Sequence, residues 1–124
     1  MKFSCNKRVL SEAVNNLLPA VAGKATIPAL EGILLDVLEN RLRLSSYNLE
    51  LGIVTELAVT GTEPGIMVIQ ASLLANILVK MPDGEVTFRC DDKLLTEITC
   101  GDVTFTVLGM PATDYRPLLA SMMT

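Results

Sequence analysis

The chain has 124 residues, enough for one domain with a hydrophobic core, and no histidine. Without histidine it lacks the commonest general base near neutral pH and most zinc ligand sets, so an enzyme is disfavoured. Half of the residues are apolar, yet no run approaches the roughly 18 uninterrupted apolar residues of a membrane span. The net charge of −4 argues against attraction of the whole surface to nucleic acid, although a local basic stripe remains compatible with it.

The first half of the chain predicts a strand, a helix and three further strands. Residues 2–5 form a short apolar strand, and Asn6 is a suitable N-cap for a helix over residues 7–18, where apolar side chains recur at helical spacing. Pro19 falls where this helix should end, and a loop with Lys24 follows. The three strands after that loop are expected at residues 30–38, 42–46 and 49–60.

The second half restarts the same order after a turn at residues 61–65. A strand at 66–69 and a helix at 72–81 come first. Three strands follow, expected at residues 85–90, 94–100 and 103–108. Six positions recur in type 64 residues later: Phe3, Cys5, Leu10, Ala13, Val14 and Leu17 match Met67, Ile69, Leu74, Ile77, Leu78 and Met81.

This repetition predicts an α+β fold made from a duplicated βαβββ unit, with repeats at residues 1–60 and 66–108. We expect pseudo-twofold symmetry, with the two helices side by side on one face of a continuous antiparallel sheet. The second helix is apolar nearly all round, which is typical of a helix buried on both sides. Either more of the chain flanks it or part of it contacts another protein.

The remaining polar and sulfur-containing residues give no sign of a catalytic or metal site. Cys5, Cys90 and Cys100 are odd in number and lack metal-ligand spacing, so free thiols in a reducing compartment are expected. The adjacent carboxylates Asp91 and Asp92 lie between two strand patterns and predict a hairpin turn. The N-terminus enters a strand at once, so no signal peptide is expected.

Four segments in order resemble a known family. They are the opening MKF, KATIPALEGI at residues 24–33, YNLEL at 47–51 and GMPATDY at 109–115. Together, at this spacing and on a duplicated frame, they closely resemble the first domain of the bacterial sliding clamp, the beta subunit of DNA polymerase III. The resemblance covers residues 1–118, and residues 119–124 are interpreted as a tail or a truncated linker.

The resemblance implies a non-catalytic protein without a cofactor in the cytoplasm. Members form a head-to-tail dimeric ring of three-domain subunits around duplex DNA, with helices lining the hole, and tether the polymerase. The first domain of one subunit meets the third domain of the other. The family's pocket for polymerase and clamp loader belongs to the later domains, so we expect it to be absent here, and no membrane partner is implied.

The resemblance also implies DNA-contacting residues. Lys24 lies where the family places a basic loop residue, and Lys7 and Arg8 begin the first helix on its polar face, with Lys80 a weaker candidate. Each could equally be an ordinary solvated surface charge. Positions where relatives can carry arginine are neutral here, at Ser72 and Val79, so weak, sequence-independent binding is expected of this domain.

A second set matches the apolar centre of the family's subunit seam: Leu73, Ile77, Met81 and Phe105. Core packing would produce the same periodicity. If these residues form the seam, they should be exposed in this chain and promote self-association. An alternative function from another class is a stand-alone duplicated α+β module that self-associates through its second helix and has no role on DNA.

Overall fold

The computed structural model describes residues 1–123, which form nine strands and three α-helices. The first repeat contains β1 (Lys2–Asn6), α1 (Lys7–Leu17), β2 (Gly32–Leu38), β3 (Arg41–Tyr47) and β4 (Gly52–Ala58). The short strand β5 (Thr60–Glu63) then leads into the second repeat. That repeat contains β6 (Gly65–Gln70), α2 (Ala71–Lys80), β7 (Glu85–Cys90), β8 (Leu95–Cys100) and β9 (Val103–Leu108), and α3 (Tyr115–Met123) follows.

The strands form two antiparallel sheets, and each repeat donates its first strand to the other repeat's sheet. The five-stranded sheet has the order β5-β1-β7-β8-β9, and the four-stranded sheet has the order β4-β3-β2-β6. Exchanging the two repeats maps β1-β7-β8-β9 onto β6-β2-β3-β4, so the duplicated βαβββ unit is confirmed. The expected continuous sheet is wrong, because the exchanged strands β1 and β6 each join a separate sheet.

The strand-to-helix junction is equivalent in both repeats. Asn6 pairs with Glu85 at the end of β1, and Gln70 pairs with Gly32 at the end of β6. Asn6 Oδ1 then accepts hydrogen bonds from the backbone N–H groups of Arg8 (2.9 Å) and Val9 (3.3 Å), as predicted for an N-cap. Gln70 Oε1 accepts from Leu73 N at 3.0 Å. Each repeat therefore turns from strand to helix at the same position.

The main core lies where both sheets and both helices of the repeats meet. Phe3 of β1 and Phe88 of β7 stack with ring centroids 4.7 Å apart, and both are fully buried. Val14 of α1 and Leu78 of α2, which are equivalent positions in the two repeats, are also fully buried in the same cluster. Burying aromatic and aliphatic surface of this kind is the dominant favourable term in folding.

Two segments differ from the sequence-based expectation at residues 49–65. The long strand expected at 49–60 is divided, because Val59 is buried and its N–H donates to Asn40 O, outside the β4 pairing. The chain then enters β5, which pairs with β1 at the sheet edge. The turn expected at 61–65 therefore contributes residues to β5 and β6 instead.

The C-terminal segment is helical as far as residue 123, although residues 119–124 were expected to be a tail or a truncated linker. Tyr115 begins α3, is fully buried in a second cluster on the four-stranded sheet, and donates its hydroxyl to Ser45 O at 3.2 Å. Burial raises the pKa of the Tyr115 hydroxyl above its usual range. Thr124, the last residue of the expected tail, lies outside the described residues. Within residues 1–123 no helix has the length and apolar content needed to cross a bilayer.

Candidate nucleic-acid interface

The two long helices pack side by side in opposite directions. Arg8, at the start of α1, contacts Asp83, which follows the end of α2. Beyond the other end of α1, Val21 and Gly23 border a cleft of about 430 Å³ together with Ser72 at the start of α2. The predicted basic residues therefore divide into two groups: Lys7, Arg8 and Lys80 lie at one end of the helix pair, and Lys24 lies beyond the other. Because α1 has 11 residues and an α-helix rises about 1.5 Å per residue, the two ends of α1 are about 16 Å apart.

A carboxylate partly neutralises the first group. Arg8 donates to both oxygens of Asp83, at 3.3 Å from Nε and 2.9 Å from Nη2, and Lys7 Nζ lies 3.9 Å from Oδ1. Hydrogen bonding from Arg8, then its charge, and to a smaller extent the charge of Lys7, lower the pKa of Asp83. Asp83 therefore stays ionised at any pH suited to DNA binding. Nothing local in the sequence indicates that Asp83 pairs with the start of α1.

We expect Asp83→Asn to strengthen binding of the chain to duplex DNA, because it releases Lys7 and Arg8 from an anionic neighbour. The gain should be modest, about twofold to fivefold at low salt, since exposed ion pairs are weak. Fluorescence anisotropy with a short labelled duplex measures it. Asp92→Asn removes the same charge from the exposed turn between β7 and β8 and serves as the control. Equal gains from both variants would show that net charge alone is responsible.

Lys24 lies in an exposed loop that is anchored at its base. Ala22 N donates to Leu30 O, and Leu30 N donates to Ile27 O, both at 3.1 Å, so the loop is tied to the segment before β2. The Lys24 residue is exposed and takes part in no ion pair among the side chains that the structure describes. Lys80 is likewise exposed at the end of α2. A flexible ammonium in such a loop is a free point charge for phosphate.

The expected exposure of Ile77 and Met81 is wrong. Their exposed fractions are 3% and 4%, and both belong to the main core. Their helical spacing reflects packing against the domain interior. Core packing was the alternative to a subunit seam that the periodicity could not exclude. The apolar residues that α2 does expose are Leu73, at 40%, and Val79, at 72%.

The other predicted seam residue, Phe105, lies on β9, the last strand of the five-stranded sheet. Phe105 is half-buried against the main core, whereas Leu108 at the end of the same strand is 69% exposed. The outer side of β9 has no neighbouring strand among the described residues. An open strand edge presents unpaired N–H and C=O groups, and it is a template for pairing with another chain. Sequence reasoning did not single out Leu108, although its position at the end of an alternating strand was visible.

The cysteines offer no reactive group to this surface. All three are free thiols, as predicted, and Cys90 and Cys100 are buried. Burial, and secondarily the charge of Glu85, raise the pKa of Cys5 to about 12. A thiol with so high a pKa has almost no thiolate at neutral pH, and the thiolate is the nucleophilic form.

Comparison with known proteins gives consistent matches over nearly the whole chain. The family described as "DNA polymerase III beta subunit, N-terminal domain" matches residues 1–120. The chain is 32% identical to the beta sliding clamp of Synechocystis sp. and 29% identical to that of Bacillus subtilis, in each case over 95% of the chain. It spans 32% and 33% of those two proteins, about a third of their length.

Solved structures agree with the sequence matches. A putative DNA polymerase III beta subunit from Eubacterium rectale superposes with a TM-score of 0.89 at 35% identity, covering 93% of this chain and 32% of that one. The sliding clamp from Bacillus subtilis superposes with a TM-score of 0.88 at 29% identity and the same coverage. The strand exchange and the paired helices therefore occur on a backbone shared with these proteins.

Proposed function

The chain belongs to the family of DNA polymerase III beta subunits, in the region of their N-terminal domain, and from this membership we propose how it works. We propose that it forms one domain of a ring-shaped processivity factor that tethers the replicative polymerase to duplex DNA. The observation that carries the proposal is the match over residues 1–120 on a duplicated frame with two paired helices. Such a role needs no chemistry, and we propose that the domain is non-catalytic and acts in the cytoplasm.

Contact with DNA is proposed to rest mainly on Lys24, with Lys7, Arg8 and Lys80 as secondary contacts. Lys24 is exposed and unneutralised among the described side chains, whereas Arg8 and Lys7 share Asp83. Phosphates are the same at every base pair, so these contacts would be independent of sequence, as a sliding ring requires. The net charge of −4 is acidic, and few basic side chains of the proposed surface are without a carboxylate partner in the described part of the chain. We therefore expect this domain to bind DNA weakly.

Lys24→Glu is expected to weaken duplex binding and to flatten its dependence on salt. Each phosphate contact releases counterions, so losing one should reduce the slope of log K against log salt by about one unit. Anisotropy titrations of the 124-residue chain at several low salt concentrations measure both quantities. Lys93→Glu makes the same charge reversal in the exposed β7–β8 turn and is the control. Equal losses from both variants, or no loss from Lys24→Glu, would remove Lys24 from the DNA-binding surface.

The subunit seam is proposed to form at the open edge of β9, against the third domain of a neighbouring subunit. Leu73 and Phe105 would contact that domain directly, while Ile77 and Met81 would support them from the core beneath. Pairing along β9 would satisfy its free backbone groups. Polymerase and clamp loader are proposed to bind through the family's later domains rather than through residues 1–120.

A further inference from the structure

Two leucines in the described chain have a left-handed backbone, which side chains other than glycine rarely adopt. They are Leu49, with φ 78°, and Leu94, with φ 68°. Leu94 has a clear reason to be leucine. Its side chain packs against the main core, and its carbonyl accepts hydrogen bonds from Gly109 N at 2.8 Å and Thr96 Oγ1 at 3.2 Å.

The side chain of Leu49 has no comparable packing among the described residues, although the Leu49 carbonyl accepts a hydrogen bond from the Tyr47 hydroxyl at 3.5 Å. Its residue is 58% exposed, at the tip of the turn between β3 and β4. The turn is held by its neighbour: Asn48 Oδ1 accepts from Glu50 N at 3.0 Å and from Leu51 N at 2.8 Å. These bonds fix the backbone without using the leucine side chain. Glycine fills the left-handed position in the equivalent turn of the second repeat, at Gly101 with φ 58°.

The side chain of Leu49 instead helps to form a cleft with Lys24. The cleft has a volume of about 220 Å³, and Lys24 and Thr26 from the loop after α1 line it together with Asn48 and Leu49. Ile27 and Leu30 give it an apolar interior. Glu50 follows Leu49 in the chain but is not among the residues that line the cleft. A cation and an exposed apolar side chain thus border one concave surface.

We infer that Leu49 is a second DNA-contact residue, which packs on a deoxyribose of the strand whose phosphate Lys24 binds. This inference rests on the proposed function of Lys24. Charged phosphates and largely apolar sugars alternate along a DNA strand, so an ammonium beside an apolar side chain is complementary to any such strand. Neither contact reads a base edge, and the pair therefore stays compatible with sliding. Strained backbone at an exposed position is also more frequent at functional sites than elsewhere.

The test compares Leu49→Asn, Lys24→Gln and the control Leu51→Asn in the 124-residue chain, with a short labelled duplex as the probe. Asparagine tolerates the left-handed backbone, so Leu49→Asn should leave the thermal midpoint unchanged or raise it. We expect its duplex affinity to fall about fivefold, because an apolar contact is lost. Its salt slope should stay at the wild-type value, because no counterion release is lost. Leu51 is 46% exposed and does not line the cleft, so Leu51→Asn should bind like the wild type.

The two hypotheses fail in different ways. If Lys24→Gln weakens binding and flattens the salt slope while Leu49→Asn binds like the wild type, the Leu49 contact is overturned and the Lys24 site stands. If neither variant changes binding, both are overturned. A lower thermal midpoint in both Leu49→Asn and Leu49→Gly would show that the leucine serves the fold, and this too would overturn the inference.

Discussion

Ile77→Asp is expected to destabilise the domain strongly. Ile77 lies on the inner face of α2, is 3% exposed, and belongs to the core shared by both helices and both sheets. A carboxylate placed there has no partner, so it must either ionise in an apolar environment or bind a proton at a cost. A loss of roughly 3–5 kcal/mol is expected, against a total stability of roughly 5–15 kcal/mol for a typical domain. Thermal unfolding followed by circular dichroism measures the loss.

Leu73→Asp is the matched control, one helical turn earlier on α2. Leu73 is 40% exposed, so its carboxylate would stay hydrated and the domain should remain folded with a small change in midpoint. Sedimentation of this variant also reports on the proposed seam, where an added charge should reduce any self-association. If Ile77→Asp instead folded normally and became more monomeric than the wild type, Ile77 would be a seam residue rather than a core residue.

Phe88→Ala is expected to give the second large loss, roughly 3–5 kcal/mol of unfolding free energy. Phe88 of β7 is paired in register with Phe3 of β1, and their rings stack at 4.7 Å with an interplanar angle of 18°. The two strands come from different repeats, so the stack holds the exchanged strand in its sheet. Truncation to alanine leaves a cavity in a fully buried position, which surrounding side chains fill only partly.

A double-mutant cycle with Phe3→Leu and Phe88→Leu, measured by denaturant unfolding, isolates the contact between the rings. We expect a coupling energy of about 0.5–1.5 kcal/mol. Phe105→Ala on the edge strand β9 is the comparison, and it should cost less because Phe105 is only half-buried. Additive effects of the Phe3 and Phe88 variants would contradict a stabilising contact between the exchanged strand and its host sheet.

Local sequence signals predicted the individual elements of this fold well. The strands expected at 85–90 and 103–108 are β7 and β9, and Asn6 caps α1 as proposed. Alternation of apolar residues and side-chain capping act within a few residues, so they can be read from the chain. The repeat at an offset of 64 residues likewise reflects chemistry that the two copies share.

The partners of those elements could not be read in the same way. Strand alternation specifies which face of β1 is buried but not which strand lies beside it, so the exchange of β1 and β6 and the presence of two sheets were missed. Sequence reasoning also missed helix α3, whose first residue, Tyr115, donates its hydroxyl to the carbonyl of the distant residue Ser45. Both features depend on residues far apart in the chain.

For the candidate sites, too, local features could be predicted from the sequence, whereas contacts between distant residues could not. The duplicated α+β frame and the exposed loop that presents Lys24 were readable from spacing and local turns, and the family was recognised from the resemblance of four segments to known sequences. The packed molecule was needed to show that Asp83 pairs with Arg8 and Lys7, and that Ile77 and Met81 point into the core. An apolar stripe on a helix fits a core and an interface equally well, and a charge shows its partner only when distant segments meet. Burial and pairing are properties of the packed molecule, and the order of residues constrains them only through the fold.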